Sequence, residues 1–245
     1  MKYDLMEGDC LQLMRELPDA SVDMILCDLP YGTTQNKWDS VIPFEPLWKE
    51  YWRICTGAVV LTAAQPFTSA LVMSQVSRFK YDWVWKKSKV TGVLNAKRQP
   101  LRCHEAVLVF AKSSPPYNAQ GVTATSRRAG TGVSKRGSSD NYGAIAQTED
   151  GTYEQTQTNW PRSVLEIASE GKTIHPTQKP VALFDYLIRT YTDEGMVVLD
   201  NCMGSGTTGV ACANTKRRFI GMEMNAEYFD IACDRVEKAY ADALA

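Results

Sequence analysis

One stretch near the end of the chain constrains the fold more than any other. An apolar run over 196–199 stops at Asp200, and a turn, Asn201-Cys202-Met203-Gly204-Ser205-Gly206, leads into helical spacing over Thr207–Asn214. A second apolar run, 218–222, then stops at Glu223. Two short buried strands joined by a helix must lie parallel, because a crossover of this length returns the chain in the same direction. A parallel pair is covered by helices on both faces, so the chain is predicted to be an α/β protein.

The rest of the sequence agrees. Val22–Cys27 reads as a buried strand ending at Asp28-Leu29-Pro30-Tyr31-Gly32, and Phe44, Leu47, Trp48, Tyr51, Trp52 and Cys55 recur at helical spacing. Residues 58–62, 81–85 and 106–111 read as strands, and 66–76, a segment from Pro180 onward and 226–240 as helices. Residues 113–160 are rich in Ser, Thr, Gly, Asn and Gln, and lack either periodicity. Such a segment is a binding loop, a small recognition lobe, or a region that orders on a partner. Trp83 and Trp85 alternate with Val84 and are expected to include core positions.

At 245 residues the chain is long enough to bury a core without disulfides or metal. Its seven cysteines contain no C-x-x-C and read as reduced thiols, and its two histidines, His104 and His175, lie far apart, so no metal site is expected. No apolar run approaches the roughly 20 residues of a membrane span, and the first ten residues lack the apolar core of a signal peptide. A soluble, intracellular protein is the expectation.

The formal net charge of −1 conceals a separation. Residues 78–136 hold 13 Lys and Arg against Asp82 and Glu105, which gives +11 and leaves −12 for the other residues. A basic stretch interleaved with Tyr81, Trp83, Trp85 and Tyr117 suits a polyanion, and double-stranded DNA is the expected partner. Lys86, Lys87, Lys89, Lys97, Arg98, Arg127, Arg128, Lys135 and Arg136 are the candidate DNA-binding residues.

Two constellations carry chemistry. Strand, Asp200, Gly204-x-Gly206, helix, and a strand ending in Glu223 is the layout of a nucleoside cofactor site, with Glu223 placed for ribose hydroxyls. The loop lacks G-K-[ST] and a third glycine, which disfavours a nucleoside triphosphate or a dinucleotide. Asp200 would repel a pyrophosphate and suit a cation such as the sulfonium of S-adenosylmethionine. A lone G-x-G is more often only a helix-start turn; the flanking carboxylates tilt the reading toward a ligand.

Asp28-Leu29-Pro30-Tyr31 is the second constellation. An exocyclic base nitrogen delocalises its lone pair into the ring and is a poor nucleophile until acceptors take its hydrogens. Asp28 supplies one acceptor and the Leu29 carbonyl a second, Pro30 fixes the backbone, and Tyr31 can stack on an extruded base.

On these residues the chain resembles the β class of amino-methylating DNA methyltransferases, whose Asp-Pro-Pro-Tyr turn precedes the cofactor loop. Gly8-Asp9-Cys10 resembles the family's early cofactor element, and His175-Pro176-Thr177-Gln178-Lys179-Pro180 its H-x-x-x-K-P element. Leu29 departs from the family's first proline. The resemblance implies a Rossmann-like methyltransferase fold with a mainly parallel sheet in permuted order, comprising a catalytic part, 1–112, an inserted target-recognition region, 113–165, and a cofactor part, 166–245. It implies S-adenosylmethionine as cofactor, held by Asp9, Cys10, Asp28, Thr177, Lys179, Asp200, Met203, Gly204, Ser205, Gly206, Thr207 and Glu223. Adenine-N6 is favoured because Asp, rather than Ser, stands at position 28; cytosine-N4 methylation and a non-catalytic DNA-binding relative are the alternatives. The resemblance also implies a bacterial cytoplasmic setting, phage-encoded or not, and leaves room for a homodimer.

Overall fold

The computed structural model describes residues 3–33, 39–128, 154–171 and 178–243. In chain order the elements are β1 (Tyr3–Glu7), α1 (Cys10–Glu16), β2 (Val22–Cys27), α2 (Phe44–Ile54), β3 (Cys55–Ala63), α3 (Phe67–Ser74), β4 (Phe79–Thr91), β5 (Arg102–Phe110), β6 (Thr123–Arg128), β7 (Glu154–Thr158), β8 (Val164–Glu166), α4 (Val181–Tyr191), β9 (Val197–Asp200), α5 (Thr207–Asn214), β10 (Arg218–Glu223) and α6 (Ala226–Asp242).

Eight strands form one sheet in the order β1-β10-β9-β2-β3-β5-β4-β8. Only β5 among them runs against its neighbours, pairing antiparallel with both β3 and β4. Period-two alternation splits the buried side chains into two layers. Met24, Leu26, Ala58, Val60, Val107 and Val109 pack with α4, α5 and α6 on one face. Ile25, Cys27, Val59, Leu61, Leu108 and Phe110 pack with α1, α2 and α3 on the other. The α/β fold with helices on both faces is therefore as the sequence predicts. Trp83 and Trp85 lie in the first of these layers, 4% and 3% exposed. Among the described residues no helix is long and apolar enough to cross a membrane.

The connectivity positions the site. From β2 the chain crosses to β3 on one side, whereas from β9 it crosses to β10 on the other, although β2 and β9 are hydrogen-bonded neighbours. That is a topological switch point, and a crevice opens above the carboxyl ends of such strands. Asp28 follows β2 and Asp200 ends β9 at this place.

Residues 119–162 form a separate compact unit. In its described part β6 pairs antiparallel with β7, and the Asn159 side chain donates to the Gly121 carbonyl at 2.7 Å.

Candidate active site

Asp28 stands at the end of a strand whose side chains are buried on both faces, so its position is fixed by the core beneath it. Leu29, the residue that departs from proline, is 3% exposed and packs in the layer with Ile25 and Leu61. Burying a leucine contributes about 1.5–3 kcal/mol, which anchors this turn residue to the core.

Donors surround the Asp28 carboxylate. The Tyr31 hydroxyl donates to Oδ1 at 2.7 Å, and the hydroxyl of Thr62, fully buried on β3, donates to the same atom. The Lys179 ammonium reaches Oδ2 at 2.5 Å. Lys179 is itself 6% exposed and meets Glu105 of β5 at 3.4 Å, while Glu105 also pairs with Lys87. Charges therefore alternate across the group: Asp28, Lys179, Glu105, Lys87. Burial pushes the Lys179 ammonium down, but Asp28 and Glu105 together reverse this and hold it above its ordinary value. The Tyr31 hydroxyl is pushed well up, by burial first and by the adjacent Asp28 charge second, so it stays protonated and donates. Phe67 stacks on the Tyr31 ring with centroids 5.1 Å apart.

Across the switch point, the Gly204 N–H donates to Glu223 Oε2 at 2.9 Å, and the Asn225 N–H donates to Oε1 at 2.8 Å. Gly204 adopts φ +52°, which glycine tolerates without strain. At Gly206, with φ +79°, a Cβ would stand 3.1 Å from Ala232 and Val236 of α6, so packing as well as backbone conformation requires glycine there. Asp9 caps α1, accepting from the Leu11 and Gln12 N–H groups at 2.9 and 3.1 Å. Cys10 lies beside Asn201, whose amide approaches the Cys10 and Cys202 sulfurs at 3.5 Å each.

Several residues assigned from the sequence to the cofactor point elsewhere. Asp200 is 2% exposed, and its carboxylate accepts from the Thr208 hydroxyl and the Cys202 N–H, so it organises the loop from beneath. Met203, Ser205 and Thr207 are 4%, 3% and 6% exposed. Ser205 is held by Arg235 of α6, so these three offer mainly backbone groups. Thr177 lies outside the described residues.

Burial raises the Asp200 carboxyl to about 6, with the Thr208 and Cys202 donors opposing the rise. Because the folded value exceeds the ~3.9 of an exposed carboxyl, Asp200 contributes stability that is fully present below about pH 4. That contribution is lost as pH rises through about 6. Urea denaturation of the wild type and Asp200→Asn is expected to show the wild type's advantage shrinking by about 2–3 kcal/mol between pH 4 and pH 7. A constant difference would contradict a burial-driven shift.

The basic candidates also divide. Lys87 is taken up by Glu105 and lies 5.4 Å from the centre of the Trp85 ring, so it belongs to the buried charge group rather than to an open face. Lys86 pairs with Glu166 at 3.0 Å with both side chains exposed, a contact worth little. Lys89 donates to the Glu170 carbonyl at 3.1 Å, and Lys97 and Arg98 are exposed. Arg127 and Arg128 lie on β6, where the strand register sets their backbone opposite Gln155 and Glu154 of β7. Lys135 and Arg136 lie outside the described residues.

Thr62 and Glu105 complete the cluster and carry no sequence motif. The one available signal is that Glu105 is the sole acid among the basic residues from 86 to 112.

A switch-point crevice flanked by a donor-loaded carboxylate on one strand and a glycine-bound carboxylate two strands away is the arrangement of a group-transfer enzyme with a nucleoside cofactor. A family model described as DNA methylase, for the N6 and N4 amino-methylating enzymes, matches residues 22–234, and the chain belongs to that family. The type II methyltransferase M.HpaI of Haemophilus parainfluenzae is 23% identical over 257 residues, spanning 98% of this chain and 76% of the relative. M1.HpyAVI, solved in complex with SAM, has a TM-score of 0.64 and 24% identity, over 95% of this chain and 99% of its own. The PvuII DNA methyltransferase, described as cytosine-N4-specific, has a TM-score of 0.65 and 15% identity, over 99% and 94% of the two chains. These structures share the fold, which is that of the S-adenosylmethionine-dependent DNA methyltransferases.

Proposed function

We propose that the chain methylates the N6 amino group of an adenine extruded from a specific site in duplex DNA, with S-adenosylmethionine as methyl donor. The observation that carries this reading is the state of Asp28. A carboxylate offers about four lone-pair sites. Tyr31 and Thr62 occupy those of Oδ1, and Lys179 takes one on Oδ2. One site on Oδ2 is left, on a carboxylate held in place by three donors.

That site accepts one amino hydrogen, and the Leu29 carbonyl, placed by Pro30 immediately after it, accepts the other. With both hydrogens drawn away, the nitrogen lone pair localises toward the attacked carbon. Lys179 keeps Asp28 oriented throughout. Tyr31, braced by Phe67, stacks on the base. The side chains present fit the cofactor: carboxylates at Asp9 and Glu223 suit its cationic and hydroxyl groups. When bound, it supplies an electrophilic methyl on a positively charged sulfur. Asp at position 28 favours adenine.

A cytosine-N4 reading uses the same acceptors, and the shared fold of the PvuII enzyme, described as cytosine-N4-specific, keeps it in view. Sequencing the DNA of a methylation-free host that expresses this chain separates the two. Modified adenine within one recurrent site is expected; modified cytosine selects the second reading, and unmodified DNA contradicts both.

A further inference from the structure

The ribbon formed by β4 and β5 ends in an exposed turn that the catalytic cluster leaves unused. Within it Leu94 is fully exposed at 102%, Val93 is 65% exposed, and Val90 and Leu101 are 49% and 38% exposed. Large apolar side chains gathered this way mark a contact surface. The sequence around them is basic: from residue 86 to 104 the chain carries no acid, and beyond Lys86 and Lys87, which pair with Glu166 and Glu105, it carries Lys89, Lys97, Arg98 and Arg102. An apolar tip with a cationic rim complements a duplex, whose phosphates lie outside and whose stacked bases lie within.

Topology places this turn on the catalytic side. β4 runs parallel to β8 and, through β5, in the same direction as β3, so its carboxyl end faces the same way as that of β2. The stem is tied to the site directly, because Glu105 of β5 holds Lys179, which holds Asp28. From Glu105 to Arg102, where the turn begins, is roughly 10 Å at the usual rise per strand residue.

We propose that the Val93 and Leu94 tip is a wedge that enters the base stack beside the target and keeps the gap open while the base is extruded. Phosphates are held by Lys89, Lys97, Arg98 and Arg102, and the leucine side chain takes the place of stacking lost when the base leaves. The proposal rests on the methyltransferase reading above and adds to it the residue that opens the duplex. Leu94 contacts neither cofactor nor reacting atoms, so it is a positioning residue. Being solvent-exposed, it can be replaced without disturbing the core.

The test compares the wild type with Leu94→Ala on two versions of the methylated site identified by sequencing, one fully paired and one with an abasic position opposite the target. Single-turnover methyl transfer, duplex binding by fluorescence anisotropy, and extrusion by a fluorescent base analogue at the target are measured on each. On paired DNA, Leu94→Ala is expected to lose on the order of 10- to 100-fold in transfer rate, with a matching loss of the extrusion signal, because unstacking must then proceed unaided. Duplex affinity is expected to stay within about threefold, since the phosphate contacts remain. On the abasic-opposed substrate, where the target is already unpaired, transfer is expected to return to within about threefold of the wild type.

Equal losses on both substrates, or no loss on paired DNA, overturn the wedge. So does an effect of Leu94→Ala confined to self-association. Failure of the wild type to methylate any DNA overturns the methyltransferase reading and the wedge with it, whereas an active wild type matched by an equally active variant overturns the wedge alone.

Discussion

Asp28→Ala is expected to lower methyl transfer by on the order of 10²- to 10³-fold, the loss that accompanies removal of one preorganised electrostatic group from a reacting centre. The variant is expected to fold, because the Lys179 ammonium keeps Glu105 as a partner at 3.4 Å. Cofactor affinity measured by calorimetry is expected to change far less than the transfer rate, since Glu223 and the glycine loop are untouched. Asp28→Asn separates shape from charge. Its amide keeps an acceptor oxygen but turns N–H groups toward the ammonium or the two hydroxyls, so it is expected to lose most of the activity as well. Near-normal turnover in either variant would remove Asp28 from the chemistry.

The second large effect concerns stability. Lys179→Met leaves Asp28 and Glu105 facing one another with no cation between them, their side chains only 22% and 12% exposed. Breaking a buried ion pair by deleting one partner costs about 3–5 kcal/mol. For a chain of this size that corresponds to a fall in Tm of roughly 6–20 °C. Restoring the charge with Lys179→Arg is expected to recover part of this loss, limited by the bulk of the guanidinium at a closely packed position. A Lys179→Met protein as stable as the wild type would mean that the ammonium does not balance the two carboxylates.

The parts legible in the sequence were those with local causes. Val22–Cys27 and Thr207–Asn214 fall where apolar runs and a glycine turn place them, because a doubly covered strand must be apolar throughout and a helix needs a start signal. β1 and α1 escape such a reading. Tyr3–Glu7 is an edge strand with polar residues on a half-open face, and Cys10–Glu16 is a seven-residue helix with one fully buried side chain, Met14. The site divides the same way. Asp28 and Tyr31 announce themselves three residues apart, but Thr62, Glu105 and Lys179 come from strands and a loop brought together only by the sheet order. The motif reading therefore assigns Lys179 to the cofactor alone, although its ammonium is bonded to Asp28. Asp200 carries the same lesson: its placement beside a glycine turn points to a ligand, and its burial shows that the turn itself takes up the carboxylate.

The central claim is that the Asp28 cluster directs a methyl group onto an exocyclic amino nitrogen of DNA. Incubation of duplex DNA with the protein and isotopically labelled S-adenosylmethionine, followed by digestion and mass spectrometry of the nucleosides, measures this directly. N6-methyl-2′-deoxyadenosine carrying the label is expected with the wild type and is expected to be reduced at least 100-fold with Asp28→Ala. Label found only at carbon or absent from every nucleoside, or an equal yield from the two proteins, would contradict it.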